Sequence, residues 1–471
     1  MASKKEIKFI KEIHDLVIKY LINQNDELVK PEINQTELDF KLGDKTELRE
    51  IREFIELYLS KSVKTNSSKF YNQLFSGFSP TGYLGEILTA LTNSSMYTFE
   101  MSPLATLIEQ ELINKMTTLI GYENGFGTFV TGGSNGNLVA MLSARQKFSP
   151  LIKSKGLFKN DKLVAFVSSE SHYSLIKAGY QLGIGTDQIK RVPCDKVGRM
   201  NNNALRKMIN DSIFKGEKPF FVCATAGTTV RGAFDPLHNI ADICDEFQIW
   251  FHIDGSWGGS VILSEKHKNL LNGSERSDSF TWCCHKMMGI PLICSVVLLK
   301  EKQMLQTIND VNETDYLFHG DDHQGMNLGI YSLQCGRKVD SLKLWLTWKY
   351  FGDDGYKIKI DHLFKLAKYA ERIVHKTSNL TMVSAVQSLN ICFRIEPIEI
   401  DEIEWDMLTT KVRESLLIDG ELMVNYATIK SKSCIRLVTV NFEQTYEDLD
   451  YFFQSLEKTI NKVLKTSNYC K

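Results

Sequence analysis

From Thr128 onward, short apolar runs alternate with amphipathic stretches. The runs LVAFVSS (163–169), FFVCATA (220–226), IWFHID (249–254) and CSVVLLK (294–300) hold too few polar positions to face water on either side. They predict buried strands. Between them NLVAMLSARQKF, ALRKMINDSIFK and LHNIADICDEF repeat apolar residues at three- and four-residue spacing, and predict helices. Strand and helix in alternation imply a mostly parallel sheet covered by helices. Beyond about residue 345, helical patterns mix with the strand-like LNICFRIEP and CIRLVTV, which predicts a smaller α+β C-terminal domain. Residues 5–22 predict an amphipathic helix with Phe9, Ile10, Ile13, Leu16, Val17, Tyr20 and Leu21 on one face. A second helical pattern runs from Glu47 to Leu59. The apolar face of the first helix has two readings, packing on its own core or on a partner subunit.

These patterns divide the chain into a helical N-terminal segment (1–65), expected to pack in a dimer, a large α/β domain (66–345) and a small domain (346–471). The length of 471 residues, 43% of them hydrophobic, suits more than one core. The net charge is −1 with both signs interspersed, so neither a basic face for nucleic acid nor an acidic tail is present. Ten cysteines scattered over this length, with Cys283 and Cys284 adjacent, do not form a disulfide framework and fit reduced thiols. Lys11, Glu12, Asp15 and Lys19 interrupt the N-terminal apolar residues, which excludes a signal-peptide core. No run approaches the roughly 18 apolar residues of a membrane span. The expectation is a soluble, cytoplasmic protein without a membrane or nucleic-acid partner.

Four features carry candidate chemistry. TGGSNGN (Thr131–Asn137) lies ahead of a helix, where glycines let backbone N–H groups crowd an anion and the helix dipole favours it. Alone, such a turn is more often only a turn. His172 follows a strand, at the edge where parallel sheets place ligands, although a lone histidine there also fits a plain surface residue. Asp254 closes an apolar strand, where an acid is costly unless paired; it fits a pyridinium partner or a cap for the next element. Lys286 stands in the apolar run SFTWCCHKMMG, where burial would lower its pKa and suit an amine that forms a Schiff base; the competing reading is a snorkelling lysine. Their joint order, Gly-rich turn, His, Asp and then Lys about 30 residues on, is far more specific than any one of them.

With those residues in place, residues from about 66 to 350 resemble the group II pyridoxal-5′-phosphate (PLP)-dependent amino-acid decarboxylases, in particular the glutamate and cysteine-sulfinate (aspartate) branch. The matching stretches include FYNQLFSG, SHYSLIKAG, ATAGTTVRGAFDPL, HIDGSWGGS, HKMMG, DYLF, LQCGRKVDSLKLWL and IRLVTV. The resemblance implies a fold-type I (aspartate-aminotransferase-like) large domain, a homodimer, and an α-decarboxylation that yields an amine and CO2. It implies that Lys286 carries the cofactor, that Asp254 pairs with the pyridine nitrogen and that His172 stacks on the ring. Thr225 supports the ring, Ser256 sits near its face, and Ser134, Asn135 and His285 hold the phosphate. Tyr316, in DYLF, matches a mobile-loop tyrosine that returns a proton to Cα, and Arg436 matches the arginine that binds a substrate carboxylate. Gln73 and Phe75 line the side-chain pocket.

Phe75 stands where glutamate decarboxylases have a small hydroxyl residue. A ring there shortens the pocket, which points to aspartate or cysteine sulfinate, with glutamate and its product 4-aminobutyrate as the alternative. The chain departs from the animal pattern Trp-Asn-Pro-His-Lys at Cys283 and Cys284, and from Asp-Ala-Ala at Gly255 and Ser256. Another fold-type I reaction and a non-enzymatic homologue stay as rivals. Tyr316 weighs against oxidative chemistry, and Lys286, Asp254, His172 and Tyr316 together weigh against loss of catalysis.

Overall fold

The computed structural model describes residues 3–33, 42–157, 162–310, 318, 324–398 and 400–466. Two compact units make up the chain. One comprises Met1–Gly77, Leu366–Val383 and Ile391–Lys471, and the other Phe78–Lys365 with Ser384–Asn390.

The strands, in chain order, are β1 (Phe70–Tyr71), β2 (Phe126–Val130), β3 (Leu163–Ser168), β4 (Ile189–Val192), β5 (Lys218–Thr225), β6 (Trp250–Gly255), β7 (Ser279–Cys283), β8 (Ser295–Leu299), β9 (Leu380–Met382), β10 (Asn390–Ile395), β11 (Met423–Ile429) and β12 (Lys432–Val438). The larger unit is built on a seven-stranded sheet of order β2-β8-β7-β6-β5-β3-β4. Its strands pair in parallel except β8, which runs antiparallel to both neighbours. The four apolar runs of the sequence are β3, β5, β6 and β8, and the alternating pattern is therefore a mixed, largely parallel α/β sheet, as expected. β3, β6, β7 and β8 are buried at every position. Covering both faces with helices explains why these strands lack a polar side.

Helices form where the spacing predicts them, at Gly133–Phe148, Asn202–Phe214 and Leu237–Phe247. Gly136 lies in the first of these against Thr281 of β7, whose hydroxyl would lie 2.7 Å from an added Cβ. The glycine therefore lets the helix sit close on the strand that leads to Lys286.

The smaller unit holds a sheet of order β1-β11-β12-β10-β9. It also holds the amphipathic helices Lys4–Ile22 and Leu48–Lys61, neither of which has a buried residue. The first begins with a capping box between Ser3 and Glu6. Among the described residues, no helix is long and apolar enough to cross a membrane.

Candidate active site

Parallel sheets place the C-terminal ends of their strands at one edge, where loops can gather side chains without breaking the ladder. Thr225 and Asp254 are register partners at the ends of β5 and β6, and Asp254 in turn pairs with Thr281 of β7. At this edge lies a cleft of about 240 Å³. Gly133, Ser134, His172, Thr225, Asp254, Ser256, His285 and Lys286 all line it. Residues spread over 154 positions of sequence thus converge. Asn135 does not line the cleft; its Oδ1 accepts from the Thr131 amide at 3.4 Å. Tyr316 lies outside the described residues.

Asp254 is buried, and its oxygens are held from two sides. Asn137 Nδ2 donates to Oδ2 at 2.8 Å, and the Ser256 amide donates to Oδ1 at 3.1 Å. Burial by itself would raise the carboxyl pKa. The hydrogen bonds from Ser256 and Asn137, with the charge of Lys286, outweigh burial and keep it below the usual carboxylate range. The group is ionised at neutral pH. His172 follows β3 and is tied through Nδ1, which lies 2.8 Å from Ser174 Oγ and accepts from the Ser174 amide at 3.3 Å. Partial burial lowers its pKa against the pull of Asp254, so the imidazole is neutral.

Lys286 lies in the connection between β7 and β8. Its carbonyl accepts from Gly289 N, and the adjacent Cys284 amide donates to Cys294 O at 2.9 Å. The side chain is half-buried, facing the cleft. This differs from the sealed amine the apolar run suggests, because the run continues β7 and β8 while the connection itself borders the cleft. His285 beside it accepts from the Cys294 amide at 3.1 Å, and burial pushes its pKa down to about 4. Cys283 Sγ accepts from the Ser295 hydroxyl at 3.1 Å.

The departure at Gly255 has a packing reason: the Phe280 ring occupies the space an added Cβ would need. Gly133 is constrained likewise, since Ser256 Oγ and Cys283 Sγ both crowd its Cβ position. The helix N-terminus at Gly133 is therefore free of side-chain bulk toward the cleft.

Two buried hydroxyls of the cleft, Thr225 Oγ1 and Ser256 Oγ, have no hydrogen-bond partner among the described residues. Buried hydroxyls are normally satisfied, so this pair marks where a polar group is received. The cleft also offers an amine, an ionised carboxylate, a neutral imidazole and a helix N-terminus. That set fits pyridoxal phosphate, which presents an aldehyde, a ring nitrogen, a flat ring and a phosphate.

Residues that sequence reasoning missed include Asn137 and His252. Asn137 is the last residue of the Gly-rich motif but reads there as a helix-start residue. His252 precedes Asp254 by two in IWFHID, and the shared strand face was its available signal.

In the smaller unit, Gln73 and Phe75 follow β1, and Arg436 lies on β12. Arg436 is buried and its Nη2 donates to the Asn72 carbonyl at 2.8 Å, which ties it to the segment carrying Gln73 and Phe75. Phe75 packs on Phe70 with ring centroids 6.4 Å apart.

Comparison with known proteins agrees with this chemistry. Residues 31–396 match the family model described as the pyridoxal-dependent decarboxylase conserved domain. Human cysteine sulfinic acid decarboxylase is 37% identical over 441 residues, covering 91% of this chain and 90% of the relative. Human acidic amino acid decarboxylase GADL1 is 34% identical over 469 residues, covering 96% and 90%. The crystal structure of mouse CSAD in apo form superposes with a TM-score of 0.93 at 34% identity, over 97% of this chain and 98% of that one. Tryptophan decarboxylase of Catharanthus roseus, at 24% identity and a TM-score of 0.89, shares the fold over 98% of this chain and 99% of its own. The chain belongs to the pyridoxal-dependent decarboxylase family, and is a fold-type I amino-acid decarboxylase that uses pyridoxal phosphate.

Proposed function

We propose that the enzyme decarboxylates a small acidic L-amino acid, aspartate or cysteine sulfinate, to the amine and CO2. The observation that carries the substrate class is Phe75 on a segment to which the buried Arg436 is hydrogen bonded through Asn72. A guanidinium recognises a carboxylate or sulfinate, and a bulky ring limits the reach of the side chain that bears it. The relatives named for cysteine sulfinic acid and for acidic amino acids support the same class.

In this reading Lys286 holds the cofactor. Ser134 at the helix start, with His285, takes its phosphate, and Thr225 and Ser256 supply the hydroxyls that lack partners among the described residues. When bound, pyridoxal phosphate supplies a ring that takes up the electron pair left at Cα as CO2 departs. Asp254, being ionised, keeps a proton on the ring nitrogen. His172, neutral and half-buried, covers one face of the ring and limits water there. Tyr316 returns a proton to Cα, which completes the amine. By the resemblance, Gln73 and Phe75 are assigned to the substrate side chain, and Arg436 to its distal acid.

The test is kcat/KM for aspartate, cysteine sulfinate and glutamate, with amine and CO2 both measured. One methylene is worth about 10- to 200-fold in such a pocket, so the shorter acids are expected to lead glutamate by a factor in that range. Phe75→Ser restores room and a donor, and is expected to narrow or reverse the ratio. A wild-type preference for glutamate, or an unchanged ratio in the variant, would contradict the reading. Aldehyde in place of amine would contradict the role of Tyr316.

We also infer a cytoplasmic homodimer. Support comes from the N-terminal helices, where Ile10, Ile18, Ile22 and Phe54 are 47%, 56%, 73% and 47% exposed. Apolar side chains on two neighbouring amphipathic helices are costly to leave in water, and a second copy would cover them. Reduced thiols at Cys223, Cys283, Cys284 and Cys294 fit a reducing compartment. Sedimentation with activity measured across the boundary is expected to give a dimer; a catalytically competent monomer would refute it.

A further inference from the structure

A continuous hydrogen-bond chain runs beneath the cleft, and each of its members lies in the larger unit. Trp250 Nε1 donates to Ser279 Oγ at 2.8 Å, and Ser279 Oγ lies 2.9 Å from His252 Nδ1. His252 Nε2 lies 3.0 Å from Asn137 Oδ1. The Asn137 amide nitrogen then divides, donating to Asp254 Oδ2 at 2.8 Å and to Ser174 Oγ at 3.0 Å. Ser174 Oγ lies 2.8 Å from His172 Nδ1.

The ionised carboxylate sets the direction of the Asn137 amide. An ionised carboxylate accepts and never donates, so the Asn137 NH2 must face Asp254 and its carbonyl must face His252. His252 is fully buried and, with its pKa pushed down to about 4 by burial, neutral. It therefore carries its proton on Nε2, toward the Asn137 carbonyl, while Nδ1 lies 2.9 Å from the Ser279 hydroxyl and 3.1 Å from the Ser279 carbonyl oxygen. At the other branch, Ser174 Oγ already accepts from Asn137, so its own proton points to His172 Nδ1. The Ser174 backbone N–H points to the same nitrogen at 3.3 Å. Two donors converge on Nδ1, which leaves the imidazole proton on Nε2.

We propose that Asn137 is a positioning residue whose single amide group orients the Asp254 carboxylate and, by turning the Ser174 hydroxyl proton to His172 Nδ1, completes the hold on the Nε2–H tautomer that the Ser174 backbone N–H begins. The two groups assigned to the cofactor ring, one at its face and one at its nitrogen, are thereby set by one side chain. This deepens the roles given above to His172 and Asp254, and is independent of which acid is the substrate. His252 in turn is the residue that keeps the Asn137 amide from turning over.

The experiment uses full-length enzyme labelled with 15N-histidine, with and without pyridoxal phosphate, and the His172 signals assigned from His172→Gln. Wild type is expected to show one tautomer, with a protonated Nε2 and an unprotonated Nδ1. Asn137→Leu, close in volume and without hydrogen-bonding groups, is expected to move both nitrogens part of the way toward the averaged shifts of mixed tautomers, since the Ser174 backbone N–H remains. It should also lower kcat by about 10- to 100-fold, the scale of losing a hydrogen bond to a charged group. Ser174→Ala cuts only the His172 branch, and is expected to shift the same nitrogens with a smaller loss in kcat. This milder variant decides the matter if Asn137→Leu does not fold. Wild-type nitrogen shifts for His172 in Ser174→Ala, or in a folded Asn137→Leu, would overturn the proposal. A different substrate preference would leave these signals untouched, so failure of the substrate reading and failure of this inference are separable.

Discussion

Lys286→Ala is expected to abolish turnover and to remove the visible absorbance of lysine-bound cofactor. The larger unit also contains a buried lysine, Lys343, and its surroundings show why it cannot take over. Its Nζ pairs with Glu86 Oε1 at 2.5 Å and Asp340 Oδ1 at 3.1 Å, and donates to the Ile293 carbonyl at 2.7 Å. Burial alone would lower its pKa, but Asp340, Cys294 and Glu86 together raise it above the ordinary lysine value. An amine held protonated at neutral pH, with its donors engaged, is a poor nucleophile. Lys286 faces the cleft with no carboxylate paired to it within ion-pair distance among the described residues. Absorbance and turnover, measured on the same preparation, check the prediction; full activity in the variant would remove Lys286 from the chemistry.

Asp254→Asn is expected to bind pyridoxal phosphate and to lose at least about two orders of magnitude in kcat. Because the wild-type carboxylate is ionised at neutral pH, the substitution removes a charge and not merely a proton. An amide at 254 cannot hold a proton on the ring nitrogen, and the electron sink is weakened. Its size is nearly that of Asp and its Oδ1 can still accept from the Ser256 amide, at the cost of one amide NH2 facing that of Asn137. The fold is therefore expected to survive. Cofactor binding by absorbance titration and single-turnover rates separate the two effects. A near-normal rate would mean that Asp254 serves the structure only.

The parts of this site that could be read from the chain were those where a charge interrupts an apolar run. Asp254 and Lys286 stand out because burying a charge demands a reason. The strands β3, β5, β6 and β8 were legible because an apolar run dominates each of them. Strand β7 was not: SFTWC carries Ser279 and Thr281 at fully buried positions. Ser279 is satisfied by Trp250 and His252, partners about 30 residues earlier, and no local pattern announces such pairing. β4 was hidden for the opposite reason, since IKRV holds two cations and lies at the sheet edge, where the long side chains reach water. Asn137 was passed over because an asparagine in a first helical turn usually serves the helix itself. Its work here depends on Asp254, which is 117 residues away.

The claim on which the account rests is that the cofactor is carried by Lys286, and borohydride reduction followed by peptide mapping tests it most directly. One phosphopyridoxyl-modified peptide, containing Lys286, is expected in the wild type, and none in Lys286→Ala. Modification at Lys343 or at any other lysine, with Lys286 unmodified, would contradict it.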